Sequence, residues 1–293
     1  MDTPVREEVV IVIRDAVDAD WEKAGRICYD AFATLADQHG FPHDFPNVAA
    51  AAEPIRRLIN HPRIYGVVAD KGGRVVGSSF LDERGPIFAI GPVSVDPLNQ
   101  DHHVGRMLME AMLTRARERN APGVRLIQIA YHNRSLSLYA KLGMEVRGSY
   151  AAMYGAPLRR VMSGYDVRPA TPDEENAMNS LCLRVHGHTR AGEVREAIEG
   201  GTARVVERLG RITGYTTKIN YFAHSVAETN DDLRAMICEC PDFGTPGFLV
   251  PLTNNDLFRW CLDEGLRIFF VTQMMTTGLY QEPQGAYLPS VGY

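Results

Sequence analysis

The stretch at 90–143 constrains this chain most. An apolar run there leads into a turn containing Gln100, Asp101, His102, His103 and Gly105, and a long amphipathic pattern leaves it. A strand that stops at such a turn and gives way to a helix presents the helix's first N–H groups, which have no partner inside the helix, at the positive end of its dipole. That is an anion site, and a phosphate suits it. Gly105 stands where the helix is expected to begin and permits close approach to the backbone. Beyond it Val104, Leu108, Met112 and Leu113 share one side, with Arg106, Glu110, Arg115 and Glu118 spread over the other, so a helix is expected over 104–119.

Short apolar runs and amphipathic stretches alternate through the rest of the first half. The β-branched run 9–13 reads as a buried strand. Trp21, Ala24, Ile27, Cys28, Phe32 and Leu35 recur at helical spacing, which predicts a helix over about 20–38 and a second over 48–60, with Pro54 marking an early turn or an interruption. Runs at 64–69 and 75–82 flank Asp70-Lys71-Gly72-Gly73-Arg74, a hairpin signal because glycine reaches positive φ without steric cost. The strand at 87–95 is interrupted by Gly91-Pro92, and proline donates nothing to a ladder, so a bulge or splayed edge is expected there. A strand at 124–130, a short helix at 133–142 ended by Gly143 and a strand at 144–154 complete the order β-α-α-β-β-β-α-β-α-β, a mixed α/β fold.

At 293 residues the chain suits two domains of about 150 each. The pattern breaks at 155–164, around Pro157 and Arg159-Arg160, giving an N-terminal domain over 1–157 and a C-terminal one over 158–293. The second half echoes the first three times in the same order: 167–173 echoes 13–19, 205–215 echoes 67–77, and 265–271 echoes 123–129. A duplicated fold is therefore expected. The counterpart of the phosphate turn is placed at 250–256, which has no glycine at a helix start, so only the first copy is expected to bind an anion.

Composition excludes several partner classes. Thirty-one Lys and Arg against 36 Asp and Glu leave a net charge of -5 without a dense basic block, so nucleic acid is not an expected partner. No apolar run approaches membrane-spanning length and no signal peptide is legible, so no membrane partner and a cytoplasmic location are expected. The five cysteines are scattered and odd in number, a poor disulfide framework. Cys238-Glu239-Cys240 lacks a second ligand pair and reads as a strand with both thiols on one face rather than a zinc site. His102 and His103 are not spaced as ligands and His186-Gly187-His188 reads as a helix-ending turn, so no metal is expected.

Two short signatures remain. Gln100, Gly105 and Arg106 fit a Gln/Arg-x-x-Gly-x-Gly/Ala loop before a helix, with His103 in place of its first glycine. Asn133, followed six residues on by Tyr139 and then by Lys141-Leu142-Gly143, fits a second pattern. In this order, and in these structural slots, they make 9–154 resemble the GNAT acetyltransferase superfamily. The second half resembles it only through the repeat. The resemblance implies two GNAT-like acyl-CoA N-acyltransferase domains in tandem, the second degenerate, with acetyl-coenzyme A as cofactor.

On that resemblance, backbone N–H groups of Gln100, Asp101, His102, His103, Val104, Gly105 and Arg106 would hold the cofactor's pyrophosphate, helped by the Arg106 charge. Val93, Ser94 and Val95 would pair with the pantetheine arm and offer an N–H to polarise the thioester carbonyl, and Asn133 belongs to the same cofactor set. Tyr139 would protonate the leaving thiolate, a phenol of pKa about 10 facing a thiolate of similar basicity. The general base is open, because 87–95 carries no carboxylate. Asp82, Glu83, His43 and a water relay are candidates, and His132 is favoured because imidazole titrates near neutrality. The implied function is transfer of an acetyl group from acetyl-coenzyme A to an amine, most simply of a small molecule, by a monomer or homodimer. The alternative is a coenzyme A-binding regulatory or scaffold protein in which His103 has removed catalytic competence.

Overall fold

The computed structural model describes residues 10–100 and 102–292, so Val9 and Asp101 of the readings above lie outside the described residues. The chain forms two compact units. One comprises residues up to Leu81 together with Pro92–Glu118; the other comprises Asp82–Gly91 and residues from Arg119 on.

In the first unit β1 (Ile11–Asp15), β2 (Ile64–Lys71), β3 (Arg74–Asp82) and the second half of β4 (Phe88–Val95) lie side by side in that order. β1 runs antiparallel to β2, with Ile11 opposite Lys71. Gly72 and Gly73 take φ of 61° and 83° in the β2–β3 turn, the conformation expected of that hairpin. α1 (Trp21–His39) and α2 (Val48–Asn60) pack closely, and Pro54 sits inside α2 without ending it. Their apolar faces meet the sheet through Ala24, Cys28, Ile55 and Phe80, with Phe32 and Phe45 alongside. α3 (Val104–Glu118) buries the stripe Val104, Leu108, Met109, Met112 and Leu113, as its periodicity predicts.

The second unit contains a five-stranded antiparallel sheet made of β7 (Asp166–Pro169), β8 (Arg204–Arg208), β9 (Arg211–Thr216), β10 (Ser225–Ala227) and β13 (Ala286–Leu288), in the order β13-β10-β9-β8-β7. Helices α5 (Glu175–His186), α6 (Ala191–Glu199), α7 (Asn230–Glu239) and α8 (Asn255–Asp263) connect its strands and those described next. The duplication is visible in side chains. Arg14 on β1 holds both oxygens of Asp20 at 2.8 and 2.9 Å and Asp70 of β2 at 3.0 Å. Arg168 on β7 holds both oxygens of Glu174 at 3.1 and 2.6 Å and Glu207 of β8 at 3.0 Å. In each copy that carboxylate also accepts a backbone N–H three residues earlier, from Val17 or Thr171, and so fixes the entry to the first helix.

The second unit also holds the fifth and sixth strands of both copies: β5 (Gly123–Ile129), β6 (Glu145–Tyr154), β11 (Phe248–Pro251) and β12 (Arg267–Gly278). Their order is β5-β12-β6-β11. Each fifth strand therefore pairs with the sixth strand of the other copy, Ile127 opposite Met274 in one pair and Ala151 opposite Val250 in the other. Ala151 and Met153 of β6 consequently enter one core with Phe248, Val250, Leu257 and Leu266. This exchange is why the compact units do not divide at 157/158, where the sequence repeat divides.

Three sequence readings change. Cys238 lies at the end of α7 and Cys240 caps it, so the pair is helical rather than on a strand, and both are buried. The third echo also moves. α4 (Asn133–Lys141) and α8 are the twins, each nine residues long, followed two residues on by a glycine at φ 87° (Gly143) or 84° (Gly265). The counterpart of the β4–α3 turn is therefore Glu228-Thr229 between β10 and α7, not 250–256. Apolar strand runs resemble one another whatever their place in the order, and this misaligned the echo. Among the described residues no helix is long and apolar enough to cross a membrane, and no group of three or more His, Cys, Asp or Glu could hold a metal ion.

Candidate active site

In the first unit β4 delivers the chain to the turn. Val93 and Val95 are half-buried, while Ser94 is buried with its hydroxyl 3.2 Å from that of Ser78 on β3. Asp96 ends the strand and builds the turn: its carboxylate accepts the Leu98 N–H at 3.0 Å, the Arg74 guanidinium at 3.1 Å and the Asn99 amide at 3.2 Å. Burial works to raise this carboxyl, but the Leu98 amide and Arg74 outweigh it and hold it below its ordinary range. Gln100 reaches back toward the Val95 carbonyl at 3.5 Å.

His102 and His103 are exposed, and His103 sits at φ 59°, in the left-handed region. This explains why the family pattern has glycine there, since a side chain costs about 1–2 kcal/mol in that conformation. The His103 carbonyl accepts the N–H of Met107 at 3.0 Å, which makes it the first acceptor of α3. The N–H groups of Val104, Gly105 and Arg106 are thus the first-turn amides, without an intrahelical partner. Val104 is buried, Gly105 half-buried and Arg106 exposed. No acidic residue stands in this first turn, so nothing of the helix's own neutralises its dipole. Arg106 pairs with Glu110 at 2.8 Å, an exposed i,i+4 pair that shares its charge.

The corresponding helix start in the second copy is closed. Thr229 caps α7, and Asp232, fully buried, accepts from the Thr229 N–H at 3.0 Å, the Thr229 hydroxyl at 2.6 Å and Thr213 at 2.5 Å. Asp231 adds a second carboxylate in the same turn. A resident anion already satisfies that dipole, and its charge repels a phosphate.

The second unit carries the other predicted residues, on α4. His132 is the N-cap and half-buried, Asn133 opens the helix and is exposed, and Tyr139 is buried at 7% exposure. The His132 Nδ1 lies 2.7 Å from the Ser135 hydroxyl. Burial pushes the Tyr139 phenol above its ordinary pKa, and a hydrogen bond from Ser135 acts in the opposite sense. Ser135 escaped the sequence reading, although its spacing from His132 and Tyr139, three and four residues, places all three on one helix face.

The other general-base candidates are engaged. Asp82 takes the Arg84 guanidinium on both oxygens and the Arg84 N–H at 2.9 Å. Glu83 pairs with Arg119 at 3.3 Å. In the first unit His43 pairs with Asp37 at 2.8 Å. Each carboxylate that is paired with a guanidinium is a weaker base for it.

Residues 29–144 match the family model described as the acetyltransferase (GNAT) family. A candidate acetyltransferase from Pyrococcus horikoshii superposes on 97% of this chain and 94% of its own, with a TM-score of 0.72 and 18% identity. A tandem GNAT protein from the clavulanic acid biosynthesis pathway covers 92% of this chain and 98% of its own, at TM-score 0.58 and 15% identity. A GCN5-related N-acetyltransferase from Sphaerobacter thermophilus covers 93% and 96%, at 0.60 and 14%. No curated protein sequence matches. At these identities the structural likeness shows the fold alone, and it is the tandem GNAT fold over nearly the whole chain.

Proposed function

We propose that this chain transfers an acetyl group from acetyl-coenzyme A to the amine of a small-molecule acceptor, a reading supported by the match of residues 29–144 to the acetyltransferase (GNAT) family model and by the tandem GNAT fold. Acetyl-coenzyme A, the family's acyl donor, supplies the acetyl thioester. The observation that carries the reading is the open start of α3: first-turn amides of Val104, Gly105 and Arg106, no acid in that turn, and His103 held at φ 59° where the family pattern has glycine. Those features fit a pyrophosphate. The exposed His103 side chain is compatible with that role.

Within this reading the strand N–H groups at Val93, Ser94 and Val95 orient the donor and polarise its carbonyl, while Gln100, Asp101, His102 and Asn133 complete the cofactor set. Tyr139 gives a proton to the departing sulfur. His132 removes the proton of the attacking amine. A net charge of -5 suits a cationic amine. The self-capped start of α7 supports one cofactor per chain, with the second copy, 158–293, shaping the acceptor site or the assembly.

Calorimetric titration with acetyl-coenzyme A, followed by a thiol-release assay against a panel of amines, tests the proposal. One cofactor should bind per chain, binding should be lost in Gly105→Glu, and an amine should elicit thiol release. Tight binding with no turnover on any amine would overturn the enzyme reading in favour of a coenzyme A-binding protein. Unchanged binding in Gly105→Glu would overturn the site.

A further inference from the structure

Tyr139 presents a chemical difficulty that its surroundings answer. Its side chain is nine-tenths buried, so after giving up a proton it would remain a phenolate in a poorly solvated interior. It needs a proton donor that reaches it without bulk water. Ser135, one turn earlier on the same face of α4, is the hydroxyl that faces the phenol and acts on it against the effect of burial. The same Ser135 hydroxyl lies 2.7 Å from His132 Nδ1, at the helix N-cap. Exposure is graded along this face, from half-buried His132 and Ser135 to buried Tyr139. A hydroxyl between two titratable groups both donates and accepts, which is what a relay requires.

We propose that His132, Ser135 and Tyr139 form a proton relay along one face of α4, carrying the proton that the amine loses to the sulfur that needs it. The idea rests on the acetyltransferase reading above. The balance closes within the reaction. As the amine nitrogen bonds to the acetyl carbon, its proton passes to the His132 ring. The Nδ1 proton of that ring moves to Ser135 Oγ, the Ser135 proton moves to Tyr139 Oη, and the Tyr139 proton goes to the sulfur as its bond to the acetyl carbon breaks. No other acid or base is consumed, and each of the three side chains regains its starting charge; His132 ends in its other tautomer, which exchange at the half-buried ring resets before the next turnover. Ser135 is a relay residue acting through its neighbours. The phenol and the imidazole are the groups at either end.

The test has a readout without cofactor. Tyrosine ring-carbon NMR of the ligand-free protein, with Tyr139 assigned by its loss in Tyr139→Phe, follows the phenol as pH rises. Ser135→Ala should move the Tyr139 titration to higher pH, because the donor that favours the phenolate is gone. An unmoved titration overturns the relay. In the thiol-release assay Ser135→Ala and His132→Ala should each lower kcat by about tenfold or more while KM for acetyl-coenzyme A stays within about twofold. Ser135→Thr should recover most of the loss. Added imidazole should restore turnover to His132→Ala and not to Ser135→Ala. If Tyr139→Phe lowers turnover but Ser135→Ala does not, the relay fails and the acetyltransferase reading stands. If the wild-type protein acetylates no amine, that reading fails, and the NMR titration alone decides whether the three groups are coupled.

Discussion

Tyr139 and Cys261 occupy the same position in twin helices, each six residues after the asparagine that opens α4 or α8, and each buried. The duplicated helix thus carries a phenol in one copy and a thiol in the other. Burial pushes the Cys261 thiol up to about 12, so it holds its proton at neutral pH and is a poor nucleophile and a poor acid. We expect Tyr139→Phe to lower kcat by about 10²-fold with little change in cofactor affinity, the usual scale for a lost acid catalyst. Cys261→Ala should leave kcat unchanged, and the native protein should not react at Cys261 with a thiol reagent until it unfolds. Steady-state kinetics and a timed thiol titration check both.

The left-handed turn at His103 gives a second expectation. Histidine tolerates that region better than most side chains, whereas a β-branched residue does not. His103→Gly should fold with stability within about 1 kcal/mol of the wild type, as relief of strain offsets the entropy of glycine. It should bind acetyl-coenzyme A at least as tightly, since it restores the glycine of the loop pattern that this turn resembles. His103→Val should cost about 2 kcal/mol and weaken binding through distortion of the turn. Weaker binding in His103→Gly would show that the imidazole itself contacts the phosphate.

Much of this was legible in the sequence because it depends on neighbours in the chain. The Gly72-Gly73 hairpin, the α2 bounds at Val48 and Asn60, the apolar stripe of α3 and the Gly143 end of α4 are local matters of period and backbone freedom. The turn that precedes α3 was legible for the same reason. What stayed hidden depends on partners far away in sequence. β6 pairs with β12 and β11 rather than with β5, and nothing in an apolar strand names its partner. The short Glu228-Thr229 turn was masked because α7 begins within two residues of β10. Ser135 was visible in spacing but carries no signal of its own until the His132 distance is known.

The exchanged strands supply a third expectation, at Gly247. It adopts φ 97° just before β11, and a Cβ there would run into the Met153 carbonyl of β6. That contact is backbone against backbone, where β11 begins to pair with β6, and neither side yields cheaply. Gly247→Ala should destabilise the protein by about 3 kcal/mol or more. Gly244→Ala in the same loop is the control: φ is 64° but no atom lies within 4 Å, so only the conformational cost of about 1–2 kcal/mol applies. Urea unfolding of the two variants should separate these terms, and equal losses would place the cost in φ alone.

Asp44, in the loop between α1 and α2, leads to a prediction about pH. Its side chain is only 9% exposed, and among the described residues its Oδ1 has no hydrogen-bond partner. Neighbouring His43 is turned to Asp37. Burial raises the carboxyl from 3.8 to about 7 in the folded protein. The sign follows from linkage: below the unfolded value both states hold the proton and nothing is lost. Between that value and about 7 the unfolded state ionises while the folded state does not, so stability falls as pH rises, and above it the loss is complete. Asp44→Asn removes the ionisation. Its stability should match the wild type near pH 4 and exceed it by about 2–4 kcal/mol at pH 8, the gap opening across the interval between the two pKa values. Parallel stability curves for the two proteins would show instead that the carboxylate is paired in solution.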